Sequence, residues 1–240
     1  MKKLINDFKM LRYGLQIRQL LICGILFIGM GTIFECFGKG FSFSLSGFYF
    51  GVVGAYAYQI SFSTINSKWV KSSPLQRRLL TTTPVLVSLV TSLAGYTLFV
   101  LMRVFITIGI RYKHDPRFFG IEDEYELYIG IIYAATILSI AFIYQAFCYR
   151  YYVASTVVFT ASVGLWLHGV DNMFGGAVLT EKLNCLEAQI GSFGTHGLVI
   201  LTSYLLILLS AIICYAVNIL LYRIPLSPVA FRFALKQAGK

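Results

Sequence analysis

The 240-residue chain is 58% hydrophobic and 12% charged, with a net charge of +10 and a mean hydropathy of +0.75. A soluble domain is typically about 45–50% apolar and about 25% charged, so a water-soluble globular enzyme is excluded. Disorder is excluded too, because it needs low hydrophobicity and high net charge. What remains is an all-α polytopic membrane protein.

Residues 1–18 open the chain with Leu4, Ile5, Phe8, Leu11 and Leu15 near a helical period, and Lys2, Lys3, Lys9 and Arg12 on much of the other side. That pattern predicts an interfacial amphipathic helix; the competing reading is a basic tail that only enforces topology. The segment is too long and too charged for a signal-peptide n-region, so no cleavage is expected. Six apolar blocks follow, predicting spans at 19–38, 42–65, 83–110, 127–149, 151–170 and 197–222. Each is long enough for a helix to cross a core of about 30 Å. Strand-like alternation of period two is absent, which argues against a β-barrel.

Residues 66–82 form a basic loop. Pro74 favours a helix start, with Ser72 or Ser73 as cap. Leu75, Leu79 and Leu80 would share one face, with Gln76, Arg77 and Arg78 exposed. Thr81, Thr82 and Thr83 before Pro84 predict a break, so a short helix parallel to the membrane is expected ahead of the third span. A purely topogenic loop would explain the arginines but not the SSP pattern. Residues 171–196 carry Gly175, Gly176, Gly191 and Gly194, and predict one or two half-helices dipping into the outer leaflet, buried in protein.

With the N-terminus inside, fourteen of the twenty basic residues fall in inner segments and five in outer ones, with Arg103 left within the third span. The positive-inside rule therefore predicts that both termini are cytoplasmic. Basic residues spread over four segments make a poor nucleic-acid surface, so no nucleic-acid partner is expected.

Chemistry-bearing motifs are few. The five cysteines form no CxxC pair, and free cysteine packs as a small hydrophobe. No G-x-x-x-x-G-K-[ST] occurs, so the chain has no P-loop to cradle ATP phosphates. No H-E-x-x-H occurs, and the surroundings of Ser46 lack the glycine a rhomboid-like serine site wants two residues before it. His168, Asp171 and His196 sit at loop junctions as a weak metal or proton site; the preferred reading is interface residues and no metal. Glu35 and Arg103 are sharper, because charge inside a span is costly and usually paired or functional. Arg103 lies about 28 Å along a helix counted from Pro84, near the outer interface, as does Glu35. Either the two pair along the outer part of a translocation path, or both snorkel to headgroups. Gly24, Gly29, Gly31, Gly47, Gly51 and Gly54 are candidates for close helix approach, with Gly47-x-x-x-Gly51 at the favoured spacing.

This organisation resembles the ABC type-2 permease family, the membrane subunits of many ABC exporters. The resemblance rests on the interfacial first segment, six spans, the loop SSPLQRRLLTTTP, the tight CYRYY turn from Cys148 to Tyr152, and a longer outer segment before the last span. It implies that Ser73, Pro74, Leu75, Gln76, Arg77, Arg78 and Leu79 form a coupling helix that docks on an ATPase, with Arg150 in a second contact. It further implies two copies of a separate ATPase that carry the ATP and Mg, a second permease copy, and no cofactor on this chain. The expected role is export of a hydrophobic or amphipathic substrate, a peptide, a lipid-like compound or a drug, across the cytoplasmic membrane of a bacterium. The alternative is a six-helix scaffold or sensor without transport. A secondary transporter fits less well, because the mid-span positions carry almost no charge.

Overall fold

The computed structural model describes residues 17–37, 45–65, 74, 76–115, 117, 124–174, 178–225, 227–230 and 232. Among them all regular structure is helical. The interfacial helix expected at 1–18 falls almost wholly outside the described residues, as does most of the loop before Gln76.

Seven helices follow in order: α1 Ile17–Phe37, α2 Ser46–Ile65, α3 Gln76–Leu101, α4 Glu124–Phe147, α5 Tyr152–Phe174, α6 Val178–Ile190 and α7 Ser192–Leu220. A π-helical segment, Met102–Tyr112, continues α3, and a 3-10 turn, Leu221–Arg223, ends α7. Among the described residues four stretches are long and apolar enough to cross a membrane: Gln76–Tyr112, Glu124–Phe147, Tyr152–Gly169 and Ser192–Arg223. The molecule is thus a multi-pass helical membrane protein. α1 and α2, of 21 and 20 residues, are also apolar and pack on this group.

The expected break before the third span does not form. α3 runs unbroken from Gln76 through Pro84. A proline inside a helix removes one donor and disturbs the carbonyl a turn earlier. The carbonyl that loses its donor is that of Leu80, while Thr81 Oγ1 donates to Arg77 O at 2.8 Å and Thr83 Oγ1 to Arg78 O at 3.5 Å. The third span is also longer than 83–110 at both ends. With its extension it has 37 residues, about 55 Å at the α-helical rise, against a core of about 30 Å.

Small residues set the packing. The tightest interfaces are α2 on α3 and α4 on α7. A Cβ at Gly47 would collide with Ala134, one at Gly51 with Leu138, and one at Gly54 with Ser92. The Gly47–Gly51 spacing therefore serves contact between α2 and α4 within one chain. Gly95 returns the favour from α3, lying against the Phe50 carbonyl. Ser88 bridges three helices, with its Oγ 2.9 Å from Gly54 O and 3.0 Å from Gln145 Oε1. α5 packs chiefly on α4, through Tyr144 against Phe159 at 4.6 Å and Trp166 Nε1 donating to Thr136 Oγ1 at 2.7 Å. In the 171–196 segment, α6 supplies one short helix. Gly191 then breaks the chain with φ of 80°, a left-handed value that glycine adopts freely, and α7 begins.

The glycines divide into filled and open positions, which makes a paired test. Gly51→Val should lower stability by about 1–3 kcal/mol through overpacking, whereas Gly29, where a Cβ meets nothing within 4 Å, should tolerate valine within about 0.5 kcal/mol. Thermal unfolding of both variants in detergent checks this.

Candidate functional site

At one end of the bundle four helices meet around a single carboxylate. Glu35 comes from the last turns of α1, Ser46 opens α2, Arg103 and Thr107 lie on the π-helical segment, and Leu127 sits near the start of α4. Arg103 Nη2 lies 2.7 Å from Glu35 Oε2, and its Nε donates to Oε1 at 3.0 Å, forming a two-pronged ion pair. Ser46 Oγ donates to Oε2 at 2.6 Å and Thr107 Oγ1 to Oε1 at 2.7 Å. An ionised carboxylate offers about four acceptor positions, so these four donors saturate it. Arg103 is answered in turn: Nη2 also reaches Ser46 Oγ at 3.0 Å and Nη1 reaches the Leu127 carbonyl at 3.5 Å. The guanidinium carbon sits 4.7 Å from the centre of the Phe99 ring, a favourable cation–π placement.

Burial is complete. Glu35 and Arg103 are each 1% exposed, and Ser46 and Thr107 are 0% exposed. An isolated buried charge would cost many kcal/mol; here each charge has its partner and its hydrogen bonds. Position lowers the cost further. For an upright Gln76–Tyr112 helix centred on the core, Arg103 falls about 40 Å from Gln76, at the core's far edge.

The π-helical geometry serves this site. In an α-helix the buried stripe after Arg103 would pass through 106 and 110, but Ile106 and Ile110 face outward. The wider turn instead aims Thr107 and Arg111 at α1. Arg111 Nη1 donates to the Glu35 carbonyl at 2.8 Å, answering one of the carbonyls that every helix C-terminus leaves unpaired. Segments of this kind are often functional. Gly130 completes the setting, since a Cβ there would collide with Arg103 Nη1.

The sequence-level pair of Glu35 and Arg103 is therefore brought together, closed inside one chain. Arg111, assigned to an outer loop, belongs instead to the helical extension. Thr107 and Arg111 follow Arg103 at successive spacings of four, a signal present in the sequence. Ser46 and Gly130 carry no such signal, because their roles depend on helices distant in the chain.

The other end carries the residues assigned to coupling. Pro74 is exposed, and Ser73 and Leu75 lie outside the described residues. Gln76 and Arg78 are half-buried, and Leu79 is in the core. Arg77 lies over the Tyr222 ring at 6.0 Å. Arg150 donates through Nε to the Leu221 carbonyl. Both arginines thus converge on the end of α7, where the helix dipole favours cations. Burial acts to lower the Arg150 guanidinium from its ordinary value, and the nearby Tyr58, Tyr151 and Tyr222 act the other way. The turn is also tied to its neighbours. Tyr149 stacks on Tyr58 at 5.2 Å, and Ser227 N–H donates to Tyr149 O at 2.8 Å.

His196 stacks on Tyr128 at 4.0 Å. Among the described residues no group of three His, Cys, Asp or Glu converges on a point. No protein-family model matches the chain, and neither a curated protein nor a solved structure does. What fold and site define is a multi-pass helical membrane protein with a saturated buried ion pair at one end and an arginine-clamped helix terminus at the other.

Two outcomes test the ion-pair site by thermal unfolding. Glu35→Gln or Arg103→Met alone should cost about 3–5 kcal/mol by leaving a buried partner unanswered, while the double replacement Glu35→Met with Arg103→Met should recover more than half of that. Gly130→Ala, which removes neither charge, should cost about 1–3 kcal/mol by displacing the guanidinium.

Proposed function

We propose that the chain is the membrane subunit of an ABC exporter. In this reading it crosses the cytoplasmic membrane of a bacterium six times with both termini inside. It works beside a second permease copy and two copies of a separate ATPase, which bind the ATP and Mg. The cargo is hydrophobic or amphipathic, a class that includes peptides and drugs.

The observation that carries this reading is the continuity of Gln76–Tyr112. Its first turn bears Arg77 and Arg78, the residues assigned to the ATPase. Its far end bears Arg103, Thr107 and Arg111, which hold α1 through Glu35. A stiff rod joins the two, with no break at Pro84. A push at the basic end is thereby delivered to the ion pair. Lining of an outer path by Glu35 and Arg103 then belongs to a second state, in which the latch opens. A transition of this kind needs a bistable element biased by the partner, and a saturated but separable ion pair supplies one.

The scaffold or sensor reading draws on the same saturation: a network with every acceptor filled suits a static frame. Co-purification from the native host separates the two. The exporter reading expects a P-loop ATPase in stoichiometric amount, and at least a tenfold loss of it in the Arg77→Glu, Arg78→Glu double variant, with membrane insertion unchanged. A chain that comes out alone, in material where other ABC complexes survive, supports the scaffold or sensor.

A further inference from the structure

α4 and α5, joined by the tight Cys148–Tyr151 turn, leave a lateral groove between them. It encloses about 380 Å³ and is lined by residues that include Ile143, Tyr144, Tyr151, Ala154, Val158 and Phe159. From Tyr151 in the turn to Ser162 on α5 the lining runs about 16 Å at the helical rise, roughly one leaflet of a core of about 30 Å. Few other residues cover this helix: Val153, Val157, Val158 and Leu165 are all more than 60% exposed.

Three observations narrow the occupant. The first is size. A cavity of about 150 Å³ takes a benzene-sized molecule, so the groove takes an apolar group a few times larger, well short of a helix about 10–12 Å across. The second is polarity. The wall is apolar, and the hydroxyl of Ser155 is turned to the Tyr152 carbonyl at 3.1 Å. The third is the mouth. Tyr151, 47% exposed, stands there; Arg150, just outside the lining, is near enough for its guanidinium to act on the Tyr151 hydroxyl and is held by the Leu221 carbonyl. The basic Arg77 and Arg223 lie at the same end of the bundle. A narrow apolar slot one leaflet deep, ending in a tyrosine and a fixed cation, has the polarity order of a phospholipid.

We propose that this groove holds one acyl chain of an anionic phospholipid, with the lipid phosphate at Arg150 and Tyr151. Basic pockets between membrane helices recognise anionic headgroups in this way. The inference needs only that α4 and α5 cross the bilayer, and stands apart from the exporter reading. Bound lipid would supply α5 with the packing that the chain itself leaves out.

The test is native mass spectrometry of the full chain, purified in detergent and offered equal phosphatidylglycerol and phosphatidylcholine. The expected result is one phosphatidylglycerol per chain, at least fivefold over phosphatidylcholine. Ala154→Trp fills the groove from an exposed backbone position, and should lower that binding at least tenfold without changing thermal unfolding in lipid-free detergent. Arg150→Gln should move the lipid preference toward unity; because Arg150 also holds α7, Ala154→Trp is the deciding variant. Equal binding of the two lipids by the wild-type chain would overturn the proposal, as would unchanged binding by Ala154→Trp. A wild-type dimer that Ala154→Trp dissociates would assign the groove to a second copy of the chain and overturn it equally.

Discussion

A carboxylate taken out of water must have every acceptor position answered, and the far end of this bundle is organised around that requirement. Glu35 draws its donors from Arg103, Thr107 and Ser46. Those side chains belong to α2 and the extension of α3, so answering the carboxylate gathers two helices against α1. Arg103 then makes its own demand, met by the Leu127 carbonyl and by the space that Gly130 leaves. The ion pair itself contributes little net stability against an apolar replacement. All of its donors are met in this one register of α1 against the extension of α3.

The same constraint accounts for the backbone. An α-helix continued past Leu101 would turn Ile106 and Ile110 inward, whereas here both face outward. The π-helical segment exchanges ordinary backbone geometry for alignment of three donors on one residue. At the opposite end a lighter version of the same logic appears. The carbonyls that end α7 attract Arg150, and the neighbouring Tyr222 attracts Arg77. One long helix therefore begins in one cationic clamp and ends in another.

Much of this was legible in the residues. Apolar blocks between charges pointed to helices long enough to cross a bilayer, and four such stretches stand among the described residues, the first of them starting at Gln76 rather than 83. Glu35 and Arg103 were readable as a pair, since each is an unexplained charge in an apolar run at a similar height. Pro84 misled. Proline commonly ends a helix, yet α3 starts eight residues earlier and runs on through it. The π-helical geometry left only the spacing of Arg103, Thr107 and Arg111 as a trace. Ser46 and Gly130 left none, because nothing local distinguishes a serine or glycine that will face a distant arginine.

The most direct measurement is hydrogen–deuterium exchange of the chain in lipid nanodiscs, compared between wild type and Glu35→Gln. If the carboxylate holds the extension, Met102–Tyr112 exchanges as slowly as Gln76–Leu101 in the wild type. In the variant, exchange speeds up across 102–112 while 76–101 stays protected. Fast exchange of 102–112 in the wild type, or equal protection in the two proteins, would contradict the account.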